Sequence, residues 1–130
     1  MGNCFQKNFP QEAPDLSFSG LICPGRVIHI QDGDTLTVVI KIYGHFHKIK
    51  IRLVGIDAPE LSSGERGADS KEFLKSFIGE RGRVVVSIKG FDKYAGRWLG
   101  DVQVGGKSAV KEMLRSGHAR SYSGRGAKPW

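Results

Sequence analysis

Leu36, Val38, Ile40 and Ile42 alternate with Thr37, Val39 and Lys41, and Ile49, Ile51 and Leu53 alternate with Lys48, Lys50 and Arg52. Alternation of this kind puts successive side chains on opposite faces of an extended chain, so each run is a strand with one apolar face. Tyr43-Gly44-His45 turns the chain between the two strands. A lone hairpin is marginal in water and must cover its apolar face with further strands or a helix.

The remaining sequence supplies both. A short strand is expected at 26–31, ahead of the hairpin. Gly64 and Gly67 interrupt the pattern after it. Phe73, Leu74, Phe77 and Ile78 then recur at helical spacing, with Asp69 and Glu72 as the expected capping pair and Gly79 as the stop. Val84, Val86 and Ile88 make a fourth strand, and 90–97 is expected to be a polar loop. Residues 98–104 make a fifth strand, turned by Gly105-Gly106. Ser108 caps a second helix that turns Ala109, Val110, Met113 and Leu114 inward and stops at Gly117. Three strands, a helix, two strands and a helix is the order of an OB-fold, a five-stranded barrel of the α+β class with a helix between strands three and four. The expected organisation is a flexible arm at 1–20, the barrel domain at 21–122 and an irregular basic tail at 123–130.

Charge narrows the partners. The chain has 130 residues, 20 Lys+Arg against 13 Asp+Glu, and a net charge of +7. A basic domain of this size has a polyanion as its default partner. Two cysteines are too few for a disulfide scaffold, and no apolar run reaches the length of a membrane span. The start lacks the charged-then-apolar pattern of a signal peptide, which makes the cytoplasm the default location. A monomer is expected.

The acids are more informative than the bases. Asp32-Gly33-Asp34-Thr35 falls in the loop between strands one and two, and Asp57-Ala58-Pro59-Glu60 ends strand three. Alone, the first group would be a turn. Antiparallel pairing about Gly44 changes that reading, because it sets Asp34 opposite residues near 54–56 and brings Asp34 and Asp57 to the same end of the hairpin. Two carboxylates and a nearby backbone carbonyl are hard-oxygen ligands suited to calcium. Pro59 stops the ladder, so Glu60 leaves the sheet beside those carboxylates. Arg52 lies on the polar face of strand three, and Asp92-Lys93-Tyr94 precedes a second arginine, Arg97, in the strand 4–5 loop. Arginine suits phosphate because its planar fork makes bidentate contacts.

Taken together, Asp32 to Thr35, Arg52, Asp57 to Glu60 and Asp92-Lys93-Tyr94 with Arg97 resemble the signature set of the staphylococcal-nuclease (thermonuclease) family over about residues 22–122. The resemblance implies a calcium-dependent phosphodiesterase acting on DNA and RNA and leaving 3′-phosphates. It implies that Asp34, Asp57 and the Ala58 backbone hold calcium, that Arg52 and Arg97 neutralise the scissile phosphate, and that Glu60 activates water. Lys93, Tyr94 and Tyr122 would contact substrate, and Asp32, Thr35 and Asp92 would support the ligands. The family pattern often has Thr at the position of Ala58. It often has one residue between the Tyr and the Arg, where this chain has Ala95 and Gly96.

Two further readings stand beside this one. An OB-fold can also be a non-catalytic module that binds nucleic acid or protein, but such a binder has no use for carboxylates facing phosphate. Met1-Gly2-Asn3-Cys4 suggests N-myristoylation at Gly2 and palmitoylation at Cys4, which together would give peripheral membrane attachment, although Gln6 stands where Ser or Thr is usual. A Cys4–Cys23 disulfide would need an oxidising compartment.

Overall fold

The computed structural model describes residues 10–14 and 16–130. Gly2 and Cys4, the acylation candidates, lie outside the described residues, so the Cys4–Cys23 pairing does too. The strands are β1 (Ile22–Asp32), β2 (Thr35–Ile42), β3 (His45–Leu53), β4 (Ile56–Asp57), β5 (Arg83–Asp92), β6 (Arg97–Val104), β7 (Lys107–Ser108) and β8 (Arg120–Ser121). The helices are α1 (Glu65–Ile78) and α2 (Ala109–Arg115), and a 3-10 turn spans Leu61–Ser63.

The long strands run β3-β2-β1-β5-β6, and parallel pairing of β3 with β6 closes them into a five-stranded barrel. This is the OB-fold expected from the order of elements. Leu36 pairs with Ile51 and Val38 with Ile49, so the two alternating apolar sets share the inner face. They meet Val86, Ile88 and Val102 in a fully buried interior, onto which Leu74 and Ile78 of α1 and Met113 of α2 also pack. Among the described residues, no helix is long and apolar enough to cross a membrane.

Four local features differ from the sequence reading. β1 begins at Ile22 rather than 26, because its first half pairs with β5 from Ile22 opposite Ser87 to Arg26 opposite Arg83. Register shifts at Val27/His29 and Ile30/Asp32 break the period of two that would have shown its full length. Helix α1 starts at Glu65 with Gly64 at its N-cap and no side-chain cap, so Asp69 and Glu72 lie inside it and do not cap it. The start is set upstream, where Gly64 takes φ 88° and the Ser63 hydroxyl donates to the Glu60 carbonyl at 2.5 Å. In α2 Ala109 and Met113 are buried and Val110 is partly buried against the core, while Leu114 is exposed. The polar loop shrinks to 93–96, since β5 runs to Asp92 and β6 starts at Arg97.

Described residues before β1 and after α2 also contribute contacts. Phe18 packs on Trp98 with ring centroids 5.0 Å apart, and the Gly20 N–H donates to the Ile88 carbonyl. β8 pairs with β4, setting Arg120 opposite Asp57, and the Tyr122 N–H extends the ladder to the Gly55 carbonyl at 2.9 Å. Residues 123–130 have no helix or strand, yet they fold back over β4.

Candidate active site

The hairpin of β2 and β3 delivers the first carboxylate. Thr35 pairs with Arg52, and the Leu53 N–H donates to the Asp34 carbonyl at 2.7 Å. Asp34 therefore lies opposite Leu53, one residue nearer the turn than the span near 54–56. The Asp32–Thr35 loop is a tight turn in which the Asp34 N–H donates to Asp32 Oδ1 at 3.1 Å. Its glycine is a packing requirement: a Cβ on Gly33 would lie 1.9 Å from Ser70 Oγ and 2.9 Å from Ala58 Cβ. The turn is thus pressed against α1 and β4, which holds Asp34 beside Asp57.

Arg52 joins the two acids. Its Nη1 lies 3.1 Å from Asp34 Oδ2 and its Nη2 lies 3.1 Å from Asp57 Oδ1. Nη1 also donates to the Ile56 carbonyl at 3.0 Å. Asp34 accepts two more bonds, from Thr35 Oγ1 at 2.9 Å and from the Ala58 N–H at 2.8 Å. Thr35 and the Ala58 backbone therefore fix the Asp34 carboxylate directly. Strand parity puts Arg52 on the polar face, but its side chain is only 13% exposed because both acids enclose it.

The site is short of positive charge. Asp32, Asp34 and Asp57 cluster around one guanidinium. Burial, then the bond and charge of Asp34, push the Asp32 carboxyl up to about 6. Burial, then Asp34, also raises Asp57, against the pull of Lys128 and Arg52. Hard oxygens carrying more negative charge than their one guanidinium balances suit a divalent cation such as calcium. Among the described residues no three His, Cys, Asp or Glu side chains form a metal-holding group, so such an ion would complete its shell with backbone oxygen and water.

Arg97 reaches the same cleft from β6, the strand that pairs in parallel with β3 where the barrel closes. Asp92 organises the connecting turn: its Oδ1 accepts from the Tyr94 N–H at 3.1 Å and the Ala95 N–H at 3.3 Å. Gly96, just before Arg97, takes φ 65°, a left-handed value that glycine adopts without strain. Arg97 Nε lies 3.6 Å from Asp92 Oδ2 and has no hydrogen-bond partner although it is buried. Arg52, Arg97, Asp92, Tyr122 and Lys128 line one cleft of about 450 Å³. Lys93 and Tyr94 lie outside that lining, and the Tyr94 side chain is fully in solvent.

Glu60 stands apart from the cleft lining. Its side chain is 66% exposed, and Oε1 lies 3.6 Å from Lys128 Nζ. Gly67 fixes its backbone, because a Cβ there would lie 2.1 Å from the Glu60 carbonyl oxygen. The basic tail, with Arg120, Arg125 and Lys128, is expected from sequence to add phosphate contacts, but the sequence does not link Lys128 to Glu60 or mark Trp130 as a site residue. Trp130 Nε1 donates to the Asp57 carbonyl at 2.7 Å, and the Arg120 guanidinium lies 3.9 Å from the Trp130 ring centroid. A signal was there to be read: a tryptophan in an irregular basic stretch is costly to leave in water and so points to a contact.

A small barrel thus holds two arginines in one cleft beside paired buried carboxylates, and the planar fork of arginine suits a phosphate group. The model of the staphylococcal nuclease homologue family matches residues 50–129. The chain belongs to that family. It is 39% identical over 97 residues to a Haemophilus influenzae protein named "Uncharacterized endonuclease", covering 75% of this chain and 51% of that protein. It is 36% identical over 99 residues to an Escherichia coli O157:H7 protein of the same name, covering 75% of this chain and 60% of that one. A "Probable staphylococcal-like nuclease" of Oryza sativa subsp. japonica is 36% identical over 72 residues, 55% of this chain and 18% of its own. The chain thus spans about half to three-fifths of the length of these bacterial relatives.

Proposed function

We propose that this chain is a calcium-dependent endonuclease that hydrolyses phosphodiesters of DNA or RNA and leaves 3′-phosphates. One observation carries the reading: Arg52 and Arg97 line a single cleft, and Arg52 is held there by the buried pair Asp34 and Asp57. A pure binding surface gains nothing from buried carboxylates behind its phosphate-facing arginine. Family membership and relatives named as nucleases support the same reading.

The residues divide the work by position. Arg52 and Arg97 bind the scissile phosphate and neutralise charge on its non-bridging oxygens, the contribution that is usually largest in such reactions. Asp34 and Asp57, with the Ala58 backbone, would hold calcium, which when bound adds positive charge at the phosphoryl oxygens. Glu60 takes a proton from water as the water oxygen bonds to phosphorus. The P–O5′ bond breaks on the opposite side, and the leaving 5′-oxygen takes a proton from solvent water, giving a 3′-phosphate and a 5′-hydroxyl. General base catalysis of this kind is worth about 10²–10⁴ in rate. Tyr122 lines the cleft and supplies an apolar ring to the sugar or base.

The deciding experiment incubates plasmid DNA and RNA with the protein in calcium, in magnesium and in chelator. Cleavage in calcium that stops with chelator is expected. Oligonucleotide binding without cleavage under every condition would overturn the enzyme reading in favour of a binding module.

A further inference from the structure

The segment 122–130 is attached to the site at both of its ends. At its start, the β4–β8 ladder sets Arg120 opposite Asp57 and ties Tyr122 to Gly55. At its far end, the Trp130 indole N–H donates to the Asp57 carbonyl at 2.7 Å. The ring is held from the side by Arg120, whose Nη1 also donates to the Pro129 carbonyl at 2.6 Å. Arg66 of α1 lies 5.9 Å from the same ring centroid. The Tyr122 hydroxyl donates to the Gly126 carbonyl at 3.1 Å across the loop between these points.

Lys128 stands inside this closed strap. Its side chain lines the cleft that holds Arg52 and Arg97, and its Nζ lies 3.6 Å from Glu60 Oε1. Lys128 and Glu60 are 55% and 66% exposed, and an ion pair that open to water is too weak to hold the strap in place. The hold comes from the Trp130 hydrogen bond and from the stacking with Arg120, a contact between a weakly hydrated cation and the ring face that best attracts it. Lys128 can therefore exchange Glu60 for another anion without releasing the segment.

We propose that Trp130 is a positioning residue that pins segment 122–130 across β4, and that the pinned segment presents Lys128 as a third phosphate-binding cation of the cleft. This inference rests on the nuclease reading of the cleft. In the free protein Lys128 is paired with Glu60. When a phosphodiester enters, Lys128 turns to the phosphate backbone, and Glu60 is released at the moment it is needed to accept a proton. The ligand class is a polynucleotide strand, recognised through its backbone charge.

The test uses W130A, W130F and K128A in the full chain, with thermal unfolding to confirm that each is folded. Two measurements need no turnover. Hydrogen–deuterium exchange reads the strap in the absence of nucleic acid. Fluorescence anisotropy with a labelled single-stranded DNA oligonucleotide in EDTA reads the cleft at several salt concentrations. W130A is expected to raise exchange across 122–130 and to weaken oligonucleotide binding several-fold. W130F keeps the ring over Arg120 and should lose less. K128A should weaken binding to the same degree as W130A and lower the salt slope of log K by about 0.7. The double variant should be no weaker than either single variant, since both act through one cation.

Unchanged exchange of 122–130 in W130A overturns the pin. Raised exchange with unchanged oligonucleotide binding overturns the role of Lys128. A wild-type protein that binds no oligonucleotide overturns the nuclease reading and the role of Lys128 together, while the exchange result still reports on the pin.

Discussion

Arg52 and Asp34 meet at 3.1 Å at the end of the β2–β3 hairpin, and the same guanidinium holds Asp57 at 3.1 Å through its other terminal nitrogen. One cation thus stabilises two buried acids that the chain brings together from positions 23 residues apart. The arrangement makes Arg52 structural as well as functional.

Arg52→Ala removes the partner of both acids. Breaking a buried ion pair from one side costs about 3–5 kcal/mol, because the remaining charge is left uncompensated. Urea unfolding at pH 7 should show a loss of that size, together with loss of cleavage. The deficit should shrink as pH falls, because Asp57, whose carboxyl is raised by burial and by Asp34, takes up a proton and no longer strands a charge. A deficit that stays the same as the medium is made acidic would contradict the pairing.

Glu60→Gln should separate chemistry from stability. The side chain is largely in solvent, so its replacement should change the unfolding free energy by no more than about 0.5 kcal/mol. Turnover should fall by about 10²–10⁴ if Glu60 accepts the proton. Steady-state cleavage of a labelled substrate checks this, and wild-type turnover in the variant would remove Glu60 from the mechanism.

Stability in EDTA should fall as pH rises from about 4 to 6. Asp32 titrates near 3.8 when unfolded and at about 6 when folded, so the folded chain holds the extra proton across that window. Where the native state binds more protons than the unfolded state, the unfolding free energy decreases with pH. The stabilising contribution is complete below pH 4 and gone above pH 6. Asp32→Asn should flatten the slope in a pH series of urea melts. Added calcium should restore stability above pH 6, where Asp32 is ionised.

Gly33→Ala should destabilise the protein by about 1–3 kcal/mol, the usual range for overpacking. The new Cβ would overlap Ser70 Oγ, and Ser70 is itself fully buried and bonded to the His118 carbonyl at 2.8 Å. Ser70→Gly in the same chain should recover part of the loss by opening that space. Calorimetry of the single and double variants measures the coupling, and strict additivity would show that the two positions do not meet.

Much of the barrel was legible because alternation at 36–42 and 49–53 admits one register with the apolar sides together, and the observed pairing of Leu36 with Ile51 is that register. Asp34 and Asp57 were legible for the same reason, since pairing about Gly44 forces them to one end. β1 was harder to read because its bulges break the period on which the reading depends. The start of α1 was misread because a glycine and a 3-10 turn set it, and no side-chain cap marks it.

The sequence by itself determined the strand order, the apolar interior and the grouping of acids with arginines, because each follows from spacing along one chain. Only the tertiary structure decided that Arg52 is enclosed by its acids, that Arg97 lines the same cleft, and that Trp130 returns to the Asp57 carbonyl. Those contacts join strands or segments far apart in sequence. Their geometry depends on barrel closure and on the β4–β8 ladder, which no local pattern of residues records.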